Sequence, residues 1–404
     1  MDLKRLIRHL KTSPWLAPAL AAIDLVLWAV DGLAALTTPH RPRPNTLLIL
    51  RLDVLGDYLL FRNYLRVLRE SAQYRNYTIT LCGNAAIRSV AEPFDGGVID
   101  HFIWTDIYAL STRPAYRFRF VRHLRAQGFT SVFCPTYSRV LVLDDFLAFA
   151  SGAAVRVGTA TDFVNMKRWE AWLGNRLYTR LLPAQPGIVF EGERNRQIVA
   201  GFLGETVAAA PLLFDLARAA PINVPDPCVV LSLGAGQDFR VWPADRFAAV
   251  ARHIRAHYPA HQLVVTGAPN ERVYADAFLS ELADKEHIID LTGKLSLSQL
   301  IFLLSKASLL IANETGTVHL AAATQTPTIV LSQGKTLIRW HPYPTQLAPN
   351  IRHLYPPELE AQRDRFAQIA PQFNPESPYP ITTISVARVV AAVDTYLDRP
   401  VLGH

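Results

Sequence analysis

Three short segments of this 404-residue chain carry side chains suited to chemistry on a charged, hydroxyl-rich substrate. The first, RLDVLGDYLLF, sets Gly56 and Asp57 where an apolar β-rich run must turn into a helix with Leu59, Leu60, Leu65 and Leu68 on its apolar positions. A carboxylate there suits two roles: an N-cap accepting helix amides, or a general base taking the proton of a substrate hydroxyl. The second, SLGAGQDFRVWPADRF, places Gly234, Ala235 and Gly236 after a strand, with Arg240 just ahead of a helix whose first turn is expected to hold Pro243. An arginine beside free helix amides suits a phosphate, or simply solvent. The third, IANETGTVHLAAATQTPTIVL, ends a strand at Glu314, turns through Thr315 and Gly316, and opens a helix with Ala321 to Ala323. Amides of Thr315, Gly316 and Thr317 suit a diphosphate, and Glu314 suits either a pair of sugar hydroxyls or a turn cap. His319 is expected as a structural histidine at the helix and sheet junction.

What the pattern lacks is equally informative. No D-x-D triplet is present to hold a divalent cation against a diphosphate, and Gly293-Lys294 lacks the P-loop spacing. Phe239 replaces the third glycine of the dinucleotide fingerprint begun by Gly234 and Gly236, which argues against a nicotinamide dehydrogenase. Cys82, Cys134 and Cys228 are far apart, so neither a disulfide framework nor a thiolate zinc site is expected, and a reducing compartment fits. Anion binding by arginine and amides remains, with no metal and no cofactor. The net charge of +7 favours phosphates or an anionic membrane as partners. Arg113, Arg117, Arg119, Arg122 and Arg125, with His123, form a basic patch that reads either as compositional bias or as recognition of a phosphorylated or carboxylated acceptor.

The elements that must position these residues alternate. From Asn45, β-rich runs at 46–53, 77–84, 101–106, 131–137 and 154–160 are separated by helical patterns, and a second series at 228–236, 262–269, 287–293, 308–314 and 327–334 repeats the arrangement. Such βα alternation predicts an α/β protein with parallel sheets, ligands binding beyond the carboxyl ends of the strands. Four prolines between 211 and 227 mark a linker, giving a first domain at 45–210 and a second at 228–383. Half the residues are apolar and 19% are charged, which suits buried cores and argues against disorder.

The first 44 residues stand apart. Lys4, Arg5, Arg8 and Lys11 precede a nearly continuous apolar stretch at 15–36, about the ~20 residues of a bilayer span. Asp24, with Asp31 two turns on, makes a span costly, so the segment is expected to be an amphipathic helix lying in the membrane interface with its carboxylates on the polar side. Packing on its own protein, a span and a signal sequence are the alternatives.

Taken together, these motifs resemble glycosyltransferase family 9, the ADP-heptose:lipopolysaccharide heptosyltransferases and their relatives. Leu55, Gly56 and Asp57 match its L-G-D turn, and Gly234, Ala235, Arg240, Trp242 and Pro243 match its G-A motif with a basic residue two before W-P. Gly267, Glu271 and Arg272 match a later Gly with Glu-Arg, and Glu314 to Ala323 match D-[ST]-G-x-x-H-L-A-A-A, with Glu in place of Asp. The resemblance implies a GT-B fold, two Rossmann-like doubly wound domains facing a cleft, and an inverting, metal-independent transfer from a nucleotide diphosphate sugar to lipopolysaccharide or a related glycan. Asp57 would be the catalytic base. Gly234, Ala235, Arg240, Gly267, Glu271, Glu314, Thr315, Gly316, Thr317 and His319 would bind the donor, and Arg51, Arg113, Arg117 and Arg119 the acceptor. Residues 384–404 would form a helix crossing back to the first domain. A cytoplasmic protein held peripherally at the inner membrane, with no nucleic-acid partner, is expected. A nucleotide-sugar epimerase or hydrolase, or a non-catalytic nucleotide-sugar binding protein, is the alternative.

Overall fold

The computed structural model describes residues 17–373 and 377–398, with side chains from Ala21 onward. Lys4, Arg5, Arg8 and Lys11 therefore lie outside the described residues. The described chain divides into two units. The first holds the residues up to Pro186 together with Gly192–Ala210, and the second holds Gly187–Glu191 and the chain from Pro211.

In the first unit, β1 (Thr46–Arg51), β2 (Thr78–Asn84), β3 (His101–Thr105), β4 (Ser131–Phe133), β5 (Val155–Thr159) and β6 (Arg180–Leu182) are all parallel, in the order β3-β2-β1-β4-β5-β6. Every residue of β1 is buried, as a central strand covered on both faces requires. Its helices include α1 (Ala17–Thr37), α2 (Leu55–Glu70), α3 (Pro114–Ala126) and α4 (Arg168–Asn175). The strand order reverses between β1 and β4, so the turn from β1 into α2, which carries Asp57, lies at the switch point where such sheets bind ligands.

The second unit repeats the plan. Its strands β7 (Cys228–Ser232), β8 (Gln262–Thr266), β9 (Ile288–Asp290), β10 (Leu309–Asn313), β11 (Thr328–Leu331) and β12 (Ile351–Leu354) are parallel in the order β12-β11-β10-β7-β8-β9. Here the switch point falls between β10 and β7. Helices α5 (Ala244–His257), α6 (Gly316–Thr324) and α7 (Val386–Leu397) cover it. Ala321, Ala322 and Ala323 of α6 are buried, and these small side chains let that helix sit close to the sheet.

The carboxyl-terminal helix was expected to cross back to the first domain. Instead Val389, Ala392 and Val393 of α7 pack into the core of the second unit beside Val250 and Ile254 of α5, because α7 offers that core an apolar face. The expected linker at 211–227 also lies in the second unit, where the Ala220 amide donates to Ser298 Oγ at 2.9 Å.

At the other end, α1 packs on the first unit through Leu27, Asp31, Ala34 and, just beyond the helix, Thr38. Asp31 points inward, where Arg117 Nε donates to its Oδ1 at 2.7 Å and Arg117 Nη2 to its Oδ2 at 2.5 Å. Arg122 Nε donates to Thr38 Oγ1 and Arg125 Nε to the Thr38 carbonyl. The apolar Leu25, Val26, Trp28, Leu33 and Leu36 face outward instead, at least half exposed.

Candidate active site

The best-defined polar constellation gathers at the carboxyl ends of β11, β10, β7 and β8. Trp242 builds its frame. Its indole is fully buried against Phe247, Nε1 donates to the Ile384 carbonyl at 3.0 Å, and its amide donates to Asn313 Oδ1 at 3.1 Å. Asn313, the last residue of β10, in turn donates from Nδ2 to the Leu233 carbonyl at 2.7 Å. The loop after β7 is thereby bolted to the end of β10. Pro243 is the N-cap of α5, one residue earlier than expected, and Arg240 sits on the short 3-10 turn Asp238–Arg240 that precedes it.

From that turn Arg240 reaches Glu314: Nη2 donates to Oε1 at 2.5 Å and to the Glu314 carbonyl at 2.9 Å. Its Nε is buried with no hydrogen-bond partner. Glu314 itself is crowded with donors. Thr336 Oγ1 also donates to Oε1, Ser332 Oγ donates to Oε2 at 2.6 Å, and His341 Nε2 lies 2.8 Å from Oε2. Burial alone would raise this carboxyl, yet the Arg240 charge, His341 and these hydrogen bonds outweigh it and hold Glu314 well below the usual carboxylate range. Its next neighbour, Thr315, is the N-cap of α6 with no side-chain cap bond, so the helix opens on amides that its own turn does not satisfy. Thr317 Oγ1 lies 3.4 Å from Ser232 Oγ at the end of β7.

Two glycines shape the adjoining wall. A Cβ at Gly234 would lie 2.2 Å from Glu271 Oε1, and one at Gly267 would lie 3.1 Å from Oε2, so the carboxylate occupies the space that side chains would fill. The Ala268 amide donates to Glu271 Oε2 at 2.7 Å and orients it. Ala235 is buried, whereas Gly236 is exposed, and a Cβ there would meet nothing within 4 Å. His319 lies on α6 with Nδ1 hydrogen-bonded to the Tyr343 hydroxyl, and burial pushes its imidazole down to about 4, so it is neutral at pH 7. Lys335 donates from Nζ to Gln237 Oε1 at 2.7 Å and lies over the Phe239 ring, which adds a second cation to the Arg240 loop.

In the first unit Asp57 occupies the third position of α2. Val54 is the N-cap and makes no side-chain cap bond, so Asp57 is not the N-cap residue. Arg51 fixes this corner. Its Nη1 donates to the Pro135 carbonyl at 2.7 Å and Nη2 to the Asp57 carbonyl at 3.1 Å, with Nε 3.1 Å from Asp53 Oδ2. Nearby Asp144 is pushed up to about 7 by burial, with the Asp53 charge adding to the effect. Among the described residues, no three His, Cys, Asp or Glu side chains converge into a group that could hold a metal ion.

With that geometry in place, similarity to known proteins becomes informative. Residues 202–366 match the family model for glycosyltransferase family 9 (heptosyltransferase). The match covers less than half of the chain. The matched residues contain the β7 to β11 constellation from Gly234 to His341. Lipopolysaccharide heptosyltransferase 3 of Escherichia coli is 28% identical over 182 residues, 43% of this chain and 48% of that protein, so the chain matches about half the length of this relative. The fold extends further. A glycosyl transferase family 9 structure from Veillonella parvula covers 89% of this chain and 99% of its own, with TM-score 0.68 and 19% identity. The E. coli heptosyltransferase WaaC, solved with ADP-2-deoxy-2-fluoro heptose, covers 87% and 99%, with TM-score 0.63 and 16% identity.

Within the matched residues, the structure brings Gly234, Ala235, Arg240, Gly267, Glu271, Glu314, Thr315, Gly316, Thr317 and His319 to the carboxyl ends of the strands of one sheet. The acceptor residues fare differently. Arg51 and Arg117 were expected to contact an acceptor, but both are fully buried and paired, Arg51 within the corner of β1 and α2 and Arg117 on Asp31. Both guanidinium groups are engaged by partners within the first unit rather than presented to solvent. Arg113 and Arg119 are exposed and remain available. Ser332, Thr336 and His341 escaped the sequence reading, although a Gly-Lys-Thr run directly after a strand (Gly334 to Thr336) was a signal for that loop.

Proposed function

We propose that the protein is an inverting, metal-independent glycosyltransferase that moves a sugar, heptose or another hexose-type residue, from a nucleoside diphosphate to a hydroxyl of lipopolysaccharide or a related surface glycan. The observation that carries this reading is Arg240, whose buried, unpartnered Nε stands beside the uncapped start of α6 within the residues that match family 9. A guanidinium and free amides together form a cradle for a leaving diphosphate. In the reaction Asp57 takes the acceptor proton as the acceptor oxygen bonds to the anomeric carbon. The bond from that carbon to the donor phosphate breaks on the opposite face. Negative charge grows on the diphosphate, where Arg240 and the amides of Thr315, Gly316 and Thr317 oppose it. Glu271, fixed against Gly234 and Gly267, is assigned to hydroxyls of the nucleoside, and Arg113 and Arg119 to acidic groups of the acceptor.

In this reading the enzyme works at the cytoplasmic face of the inner membrane, attached peripherally. No helix among the described residues is long and apolar enough to cross a membrane, and the outward apolar side of α1 suits the interface. A thermal-shift screen of ADP-, GDP-, UDP- and dTDP-sugars identifies the donor, since a ligand at about 100 times its Kd adds about 2.7 kcal/mol. Labelled donor is then incubated with and without lipid-linked acceptor. Label in the lipid supports transfer, whereas acceptor-independent conversion supports an epimerase or hydrolase. Asp57→Asn is expected to lose on the order of 10² to 10⁴ in transfer rate while keeping its donor-induced shift. Transfer within tenfold of wild type removes Asp57 as the base.

A further inference from the structure

We infer that α4 and the loop before it form a second membrane-contact element, which docks with α1 on a bilayer carrying anionic headgroups; this rests on the reading of α1 given above. Tryptophan is highly buried on average, yet Trp169 and Trp172, one turn apart on α4, are 48% and 59% exposed. Phe163 and Val164 just ahead of them are also exposed. Cations surround these rings. Lys167, Arg168 and Arg176 are exposed, and the Arg176 guanidinium lies 3.5 Å from the Trp172 ring centroid. The acids of the same stretch are turned away from water: Glu170 is buried and bonded to the Lys167 amide, and Asp162 is partly buried, accepting from Ser138.

Bulky aromatic rings framed by cations, with no exposed acid between them, complement the level where acyl chains meet negative headgroups. A water-facing surface of a soluble helix gains nothing from such a composition. The location agrees as well. α4 and α1 share one buried cluster, Ala171 and Met166 from the α4 side and Leu27 from α1, joined through Leu141, Val142 and Phe146. Phe149, three residues beyond Phe146, is also about half exposed. Two helices seated on one short segment thus each leave their large apolar residues outside.

The full-length protein is sedimented with vesicles of phosphatidylcholine alone or phosphatidylcholine containing phosphatidylglycerol. Wild type is expected to bind the anionic vesicles more tightly. Trp169→Ser/Trp172→Ser is expected to weaken that binding on the order of tenfold or more, and Arg168→Ser/Arg176→Ser to reduce the preference for anionic lipid. Both variants should keep the wild-type circular dichroism spectrum and donor-induced thermal shift, because neither pair contributes to a core. Tryptophan quenching by brominated lipid should fall in Trp169→Phe/Trp172→Phe. The α1 variant Leu25→Ser/Leu33→Ser separates the two ideas. If it loses binding while the α4 serine pair binds as wild type and the phenylalanine pair is quenched as wild type, the α4 inference is overturned and α1 stands alone. If wild type binds neither vesicle, both are overturned.

Discussion

Replacing Asp31 by alanine is the sharpest perturbation available in the first unit. Arg117 is completely buried and makes a two-pronged contact with Asp31, supplemented by donation from Nη2 to the Val142 carbonyl at 2.6 Å. Removing the carboxylate leaves a guanidinium inside the protein with one good acceptor in place of three. Breaking a buried pair from one side costs about 3 to 5 kcal/mol, a large share of the ~5 to 15 kcal/mol that holds a domain together. Removing both charges is different: Asp31→Leu/Arg117→Met exchanges two desolvated ions for packing, so its stability should lie near wild type or above. Urea unfolding followed by hydrogen exchange of the α1 and α3 amides separates this unit from the other. The single variant should lose protection in both helices, the double variant should regain it, and 0.5 M salt should change neither result because a buried pair is little screened. A loss below about 1 kcal/mol for Asp31→Ala would mean that the pair is wet and that α1 does not seat its carboxylate inward.

The remaining expectations concern the site and its surroundings. Arg240→Gln removes charge-assisted hydrogen bonds worth about 1.5 to 3 kcal/mol, so calorimetry should register a loss of about 10- to 150-fold in nucleoside diphosphate affinity. Arg240→Lys should fall between, and unchanged affinity in the glutamine variant would remove Arg240 from the diphosphate cradle. Asp144, pushed up to about 7 in the fold, keeps its proton there over a range where the unfolded chain has released it. Its stabilising contribution is therefore complete below about pH 4 and fades as pH rises towards 7, by an amount on the order of 4 kcal/mol. Asp144→Asn should accordingly gain on wild type between pH 5 and pH 8 in urea unfolding, and a constant difference across that range would contradict the raised carboxyl.

Most of the sheet could be read from composition because buried parallel strands are apolar on both faces; β1, β7 and β10 are buried at every position. The two strands that escaped, β6 and β12, are edge strands of three and four residues, and the Arg352 and His353 of β12 look like loop residues when only polarity is considered. The turns after β1, β7 and β10 were equally legible, since glycine beside an acidic residue or ahead of Trp-Pro interrupts an apolar run. Partnership was not. Arg117 reads as surface charge until Asp31, 86 residues earlier, is seen against it, and the side of α1 that meets water cannot be told from a pattern apolar almost all round. The four donors around Glu314 come from residues 240, 332, 336 and 341, and only the folded chain shows that they share one carboxylate.

The indole of Trp242 ends on the carbonyl of Ile384, just ahead of the last helix. A loop that holds Arg240 is thus latched by backbone 142 residues further along the chain. Truncating the protein before Ile384 would remove no side chain of the constellation around Glu314, yet it would slacken the support beneath the guanidinium. A shortened version made for crystallisation or screening should therefore retain this tail if it is to hold a nucleotide.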